Sequence, residues 1–528
     1  MGIKEIYYNK KNSTDEKISR VVDNIKKVYL MDERPWIVGY SGGKDSTTVV
    51  HLIFKALNTI PLDKLKKKIF VISSDTMVET PLVKNLIDSN LSNIFQTAKS
   101  KGFPIETFKV KPEIEQTFWV NIIGRGYPTP NQTFRWCTDR MKIDPADKFI
   151  ENIVDKSGEV IMLLGVRKGE SNSRDKVIEN HQIEESLLMK HTSLPNAFVF
   201  SPILEFNVDD IWTLLLNEKE QCPWGNDYSI LYSLYNDSSS VECPLVVDKS
   251  IKESAGSCGN SRFGCWVCTV VSEDKALSGF IRTGTTWLSE LLEYRNWLTE
   301  IRDDRTKRTK ARTNGQYYFM NVPFKNEKII IPKKSKREKV EIGLDGLDNL
   351  GNKWEIFYKK ADAIAYIKQS SLKLNSSEDP RVIVKDYEGY SILGLGPFTF
   401  ETRSEILLRL LQTQRKIHEK YNVDVELITK EEILEIAKLW IESGERIDSI
   451  VEAYEDTFNK PFDYIYEEVS MLDNDSLNLL EKTCIENGVN FNEFLKLLEV
   501  ENENINLLQR KSITKQISNI LNQDITNL

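Results

Sequence analysis

A short apolar run, Trp36-Ile37-Val38-Gly39-Tyr40, ends in Ser41-Gly42-Gly43-Lys44-Asp45-Ser46, and a helical pattern through Thr47, Val49, Val50, Leu52, Ile53 and Phe54 follows at once. A strand that feeds a Gly-Gly turn opening a helix aims free N–H groups and the positive end of the helix dipole at one point. The backbone can approach an anion closely there because glycine has no Cβ. The expected local structure is a phosphate cradle. It is not a Walker A loop, which would need Gly at position 38 and Ser or Thr at position 45, where this chain has Val38 and Asp45.

The alternation continues beyond the loop. Lys68–Ser74 reads as a second strand ending at Asp75, residues 82–101 as a helix, Ile105–Val110 as a third strand and Val160–Leu164 as another, ending at Gly165. Strands alternating with helical patterns predict βαβ units and a parallel sheet, an α/β fold. Residues 16–32 carry Ile18, Val21, Val22, Ile25 and Val28 at helical spacing, and a helix is expected from near Asn207 with two acids in its first turn. Over 528 residues the expected organisation is an N-terminal helix (1–30), an α/β domain with a cysteine cluster (31–275), a basic mixed α/β segment (276–400) and a helical C-terminal region (401–528).

Composition removes several classes. No run nears 18 uninterrupted apolar residues, so no membrane span is expected. Met1-Gly2-Ile3-Lys4-Glu5-Ile6 has no apolar signal region, so the expected location is the cytoplasm. The net charge of −8 gives no global nucleic-acid signal. Residues 301–340 differ, with 13 Lys/Arg against 4 Asp/Glu. Arg302, Arg305, Lys307, Arg308, Lys310 and Arg312, then Lys333, Lys334, Lys336, Arg337 and Lys339, could neutralise DNA phosphates. Tyr317, Tyr318 and Phe319 between the runs could stack on bases. A solvated surface loop is the alternative reading of such a charge run.

Seven cysteines are too few for a disulfide scaffold, yet five of them, Cys222, Cys243, Cys258, Cys265 and Cys268, fall within 47 residues. Cys265-Trp266-Val267-Cys268 is a CxxC pair preceded by Cys258, and glycines around it let the chain wrap one metal centre. A fourth ligand is required, with Cys137, Cys243 and Cys222 as candidates. Cys222 and Cys243, each before Pro, read as turn residues, and Cys484 as a buried structural thiol.

Ser41–Ser46 resembles the pyrophosphate loop, S-G-G-x-D-S, of proteins that cleave ATP between its α and β phosphates. The resemblance makes Lys44, Asp45 and Ser46 catalytic. Lys44 and the hydroxyls of Ser41 and Ser46 would neutralise pyrophosphate, while Asp45 helps to hold Mg²⁺. Asp75 at the second strand's end would meet a ribose or metal, and Arg167 and Arg174 in Gly165–Arg174 would reach phosphates. Together with Ser201-Pro202-Ile203-Leu204 and Asp209-Asp210-Ile211-Trp212, these segments resemble the adenylyl-sulfate and phosphoadenylyl-sulfate reductase superfamily over roughly residues 30–270. That resemblance implies a Rossmann-like parallel sheet of the adenine nucleotide alpha hydrolase type.

Arg135-Trp136-Cys137-Thr138 resembles the first cysteine motif of the iron–sulfur adenylyl-sulfate reductases, with Trp136 in place of one of two adjacent cysteines. The assignment is therefore Cys137, Cys258, Cys265 and Cys268 around a [4Fe–4S] cluster, with zinc as the alternative occupant. A sulfonucleotide reductase would also need a nucleophilic cysteine near its C-terminus. Ile517–Leu528 has none, and Cys484 lies in an acidic helical context. With the reductase activity subtracted, an ATP-dependent adenylating domain joined to a thiolate-bound cluster remains.

Glu242-Cys243-Pro244-Leu245, Cys258–Val271 and Gly394-Leu395-Gly396-Pro397-Phe398 before a helical tail resemble the DndC family, the sulfurtransferases of DNA phosphorothioation systems. The resemblance implies that ATP activates a DNA backbone phosphate as an adenylate and that sulfur replaces a non-bridging oxygen. It implies DNA, a cysteine desulfurase, an ATPase of the structural-maintenance type and a small DNA-binding subunit as partners. A transfer-RNA thiolase of similar chemistry and a non-catalytic, ATP-sensing DNA-binding scaffold are the alternatives.

Overall fold

Trp36–Gly39 forms strand β1 at the centre of a six-stranded sheet in a computed structural model of the chain. The structure describes all residues except 1–2, 170–185, 192–193, 218–220, 237–263, 333–338, 374–380, 388 and 463–473 and, past 489, all but 491, 494, 497, 517 and 518. Strands β2 (Ile69–Ser74), β3 (Ile105–Val110), β4 (Val160–Leu163), β5 (Met189–Lys190) and β6 (Ala197–Phe200) complete the sheet in the order β3-β2-β1-β4-β6-β5. All pairs are parallel except β5 with β6. The parallel strands are covered on both faces, which is why β1, β2 and β4 read as continuous apolar runs. Ile37, Phe70, Ile72, Ile150, Val160, Met162 and Ala197 make one buried cluster on the sheet.

The expected α/β parallel fold is thus the observed one. Helix α1 (Ile3–Leu30) begins earlier than the 16–32 periodicity predicts. Helix α2 (Lys44–Leu57) follows β1, and α3 (Pro81–Lys101) follows β2 with Pro81 at its first turn and Gly102, at φ 69°, ending it. Helix α4 (Asp144–Ser157) precedes β4, and α5 (Val208–Leu215) follows β6. A further helix, α6 (Tyr228–Asn236), comes next.

The chain divides into two compact units. The first comprises Met1–Phe118, Thr129–Asn296 and Lys416–Leu427 and contains the whole parallel sheet and α1. The second comprises Trp119–Pro128, Trp297–Arg415 and Ile428–Leu528. It holds a four-stranded sheet, built from Glu355–Phe357, Val382–Asp386, Gly389–Leu393 and Phe319–Val322 in that order, and a three-stranded antiparallel one. Helices Lys430–Glu442 and Asp448–Phe458 belong to it. Among the described residues no helix is long and apolar enough to cross a membrane.

One buried carboxylate ties α1 to α5. Asn207 caps α5 by accepting from the Asp210 N–H, and the Asp210 carboxylate accepts in return from the Asn207 N–H, a capping box. The same carboxylate accepts from the Thr14 hydroxyl and the Lys17 ammonium of α1, both at 2.8 Å. Burial alone would raise its pKa, but Lys17, the Asn207 N–H and Thr14 outweigh it and hold the carboxyl below the usual range. A carboxyl depressed on folding stabilises the native state above about pH 4, and the contribution is lost as pH falls through the folded pKa. Asp210→Asn is therefore expected to cost about 2 kcal/mol at neutral pH and less under acid, read from denaturant melts at both pH values.

Candidate functional site

The turn after β1 needs glycine twice over. Gly42 has φ +71°, and a Cβ there would stand 2.8 Å from Ile87 Cγ1. The next residues open α2, whose first N–H groups face the turn. Ser46 Oγ accepts from the Ser41 N–H at 3.2 Å, lies 3.1 Å from Ser41 Oγ and donates to the Gly43 carbonyl at 3.1 Å. Ser41 Oγ accepts from the Gly43 N–H at 3.4 Å, and the Lys44 N–H donates to the Tyr235 hydroxyl at 3.3 Å.

Charge converges on the same turn. Asp45 accepts from Lys44 Nζ at 2.9 Å and from Arg167 Nε at 2.7 Å. Both cations are almost fully buried, so two positive charges and one negative share a low-dielectric pocket at the helix start. Gly165 permits the approach of the β4 exit loop, since a Cβ there would sit 2.9 Å from the Asp45 carbonyl carbon. The structure thus brings together Ser41, Gly42, Gly43, Lys44, Asp45, Ser46 and Arg167. Arg174 lies outside the described residues.

Strand β2 runs beside β1, with Gly39 opposite Ile72, so its exit loop adjoins the phosphate turn. Asp75 is buried there and held by Lys109 at 3.0 Å and the Met77 N–H at 2.9 Å. Burial opposes its ionisation, but Lys109 outweighs burial and keeps the carboxyl low. The carboxylate expected at a ribose or metal is thus paired with Lys109 of β3. Met77 itself has φ +63°, an unusual value for a residue with a side chain.

The same loop meets the CxxC segment. Glu79 pairs with Cys265 in an isolated antiparallel bridge, and the Trp266 N–H donates to the Val78 carbonyl at 3.0 Å. The Glu79 carboxylate accepts from the Thr76 N–H and from its hydroxyl at 2.6 Å, and Thr76 Oγ1 lies 3.2 Å from Cys265 Sγ. Burial, reinforced by the Asp75 carboxylate, raises the Glu79 pKa.

Cys137, Cys265 and Cys268 share one electrostatic neighbourhood. Burial pushes the Cys137 thiol up to about 12, with Cys268 adding to the shift, and raises Cys265 and Cys268 as well. Lys142, on the π-helical turn Asp139–Ile143, opposes the shift at all three. The three half-buried thiols are soft donors of the kind that iron–sulfur clusters and zinc take. Among the described residues, no three His, Cys, Asp or Glu side chains stand in a metal-holding arrangement. Cys258 and Cys243 lie outside the described residues. Cys222 lies in the turn before α6, its carbonyl accepting from the Gly225 N–H at 3.0 Å, and Cys484 is buried on helix Asn474–Glu486.

Arg295 braces the CxxC loop. Its guanidinium is 0% exposed and donates to the carbonyls of Cys268 at 2.8 Å, Ser272 at 3.1 Å and Val271. Sequence reading missed Arg295, Lys142, Thr76, Glu79 and Tyr235. The nearest signals were Asp75, just before Thr76 and Glu79, and Arg135–Thr138, four residues before Lys142.

Much of the first basic run is engaged within the chain, while Arg312 is exposed. Arg308 is buried and donates to the carbonyls of Arg302 and Gly396, and Arg305 donates to Leu393 at 2.8 Å. Lys307 pairs with Glu405 at 2.6 Å, Lys310 donates to the Arg305 carbonyl, and Arg312 lies over the Tyr318 ring. An irregular chain leaves carbonyls that need donors, and arginine supplies several from one side chain. Nor are the aromatics open stacking faces. Tyr318 exchanges hydrogen bonds with Leu395, while Tyr317 and Phe319 pack on the core of Ala363, Ile367, Val382, Val384 and Leu393. Lys333, Lys334, Lys336 and Arg337 lie outside the described residues; Lys339 begins a strand.

Residues 35–270 match the family model described as the phosphoadenosine phosphosulfate reductase domain. Over these residues the chain is similar to that domain. It is 28% identical over 195 residues to an uncharacterized protein of Methanocaldococcus jannaschii, covering 37% of this chain and 34% of that protein. The chain thus spans about a third of the length of that curated relative. Among solved structures, phosphoadenylyl-sulfate reductase from Candida auris in its phosphate complex shares 11% identity at a TM-score of 0.28, covering 42% of this chain and 86% of that one. The U34-tRNA thiolase NcsA from Methanococcus maripaludis, with its [4Fe-4S] cluster, shares 15% at 0.25, covering 42% and 73%.

Two substitutions test this description. Arg295→Met strands three buried carbonyls and is expected to cost about 3 kcal/mol or more, read from denaturant melts. Arg308→Met is expected to lower the unfolding midpoint by a comparable energy while leaving the salt dependence of any DNA binding unchanged, as a filter-binding titration would show.

Proposed function

We propose that the chain is an ATP-dependent sulfurtransferase of the DndC type, acting on the DNA backbone. Support comes from the nearness of two chemistries in one unit: an anion-binding turn at the end of β1, and a loop at the end of β2 that contacts a CxxC thiol. The reductase-like domain match adds sulfur transfer or nucleotide activation as the coarse role. The DNA substrate rests on the motifs that resemble the DndC family.

In the first step a non-bridging oxygen of a DNA phosphodiester attacks the α-phosphorus of ATP, and pyrophosphate leaves. Lys44, the Ser41 and Ser46 hydroxyls and the start of α2 receive the charge that builds on the departing group. Asp45 exchanges an ion pair for Mg²⁺, which frees Lys44 or Arg167 for phosphate. In the second step hydrosulfide, supplied through a cysteine desulfurase, attacks the activated DNA phosphorus. AMP leaves with the original oxygen, and the sulfur's proton passes to solvent. Cys137, Cys265 and Cys268, completed by Cys258, would hold a [4Fe–4S] cluster, whose four thiolate-bound irons would supply one-electron redox chemistry. The structural-maintenance ATPase and the small DNA-binding subunit are the further partners. DNA contact is assigned away from Arg302–Arg312, whose groups are already engaged within the second unit.

The test is anaerobic incubation of reconstituted protein with Mg·ATP, cysteine, a cysteine desulfurase and either duplex DNA or transfer RNA. Pyrophosphate release and phosphorothioate linkages, found by digestion and mass spectrometry, are expected with DNA. Thiolated bases from transfer RNA instead would replace the DNA reading with the thiolase one, and absence of pyrophosphate release would favour a non-catalytic scaffold. Asp45→Ala and Ser46→Ala are each expected to reduce pyrophosphate release by a hundredfold or more, about 3 kcal/mol of transition-state stabilisation.

A further inference from the structure

Three N–H groups of the phosphate turn are already matched by hydroxyl oxygens. Two acceptors, Ser46 Oγ for Ser41 and Ser41 Oγ for Gly43, belong to the turn itself and can rotate away. The third comes from far along the chain: Tyr235, on α6, accepts from the Lys44 N–H at 3.3 Å. Its ring also faces Lys44 Nζ, 5.3 Å from the centroid. Trp212 of α5 packs edge-on against the same ring, with centroids 5.3 Å apart, and also contacts Tyr232. The phenol is therefore anchored from behind, with its oxygen set on the first N–H of α2.

An N–H at a helix start donates well to one acceptor at a time. A phosphate oxygen arriving at that N–H must replace the oxygen already there. We propose that Tyr235 is a resident competitor for the phosphate site, its hydroxyl holding the Lys44 N–H that pyrophosphate must take. This rests on reading Ser41–Ser46 as a pyrophosphate-binding turn. The device lowers affinity for the leaving product: as pyrophosphate departs, the phenol returns to the N–H and closes the site to rebinding. The ring contact with the Lys44 ammonium does not depend on the hydroxyl, so oxygen and ring are separable.

The experiment is a calorimetric titration of Mg·pyrophosphate, and separately Mg·ATP, into the full chain and its Tyr235→Phe variant. Phenylalanine keeps the ring against Lys44 and Trp212 and removes only the competing oxygen. Tyr235→Phe is expected to bind pyrophosphate roughly two- to tenfold more tightly than wild type. Tyr232→Phe, on the same helix, is expected to match wild type. Hydrogen exchange on the unmodified chain supplies a readout that needs no variant: protection over residues 228–236 should fall when pyrophosphate is added. Equal or weaker binding by Tyr235→Phe, or unchanged protection, overturns this inference and leaves the pyrophosphate-binding turn standing. Binding of neither ligand by either protein overturns both.

Discussion

Parallel pairing of β1 with β2 is the constraint on which the rest of the site depends. Parallel neighbours release their chains at the same end of a sheet, so the turn after β1 and the loop after β2 emerge side by side. One becomes a tight cradle of N–H groups because Gly42 adopts a left-handed conformation and α2 starts immediately. The other becomes a brace for the CxxC segment through Thr76 and Glu79. Neither loop needs a special scaffold of its own. Their spacing is the spacing of two hydrogen-bonded strands.

The electrostatics of the two loops differ in kind. The cradle concentrates positive charge, with Lys44 and Arg167 balanced against the single carboxylate of Asp45. The thiol neighbourhood is dominated by burial, which keeps its sulfurs protonated, with Lys142 as the opposing influence. A metal cation replacing those protons would offset the desolvation cost and the mutual repulsion that the thiolates would otherwise carry. Asp75 stands between the two regimes in sequence but is neutralised by Lys109 of the neighbouring strand.

Local pattern made much of the first unit legible. Strands β1, β2 and β4 are short apolar runs closed by Gly, Ser or Asp, and Asn207 with Asp210 announces α5 three residues apart. Contacts that close over long separations left no such trace. Tyr235 reaches Lys44 across 191 positions, Thr76 reaches Cys265 across 189, and Arg295 caps carbonyls 23 to 27 residues upstream. Nothing in the local spacing marks these residues as partners. The basic run shows the opposite failure. Charge density is visible in composition, but whether an arginine faces water or a carbonyl is decided by the fold, and Arg308 faces carbonyls.

The interleaving of the chain separates what has been inherited as a module from what can stand alone. The reductase-like match stops at residue 270, yet Arg295, which clamps the CxxC loop, and Thr14 and Lys17, which anchor α5, all lie beyond its limits. A fragment trimmed to residues 35–270 would thus leave the Asp210 carboxylate without Thr14 and Lys17, and the Cys268 carbonyl without Arg295. Excising the module would dismantle the enclosure that gives its cysteines their character.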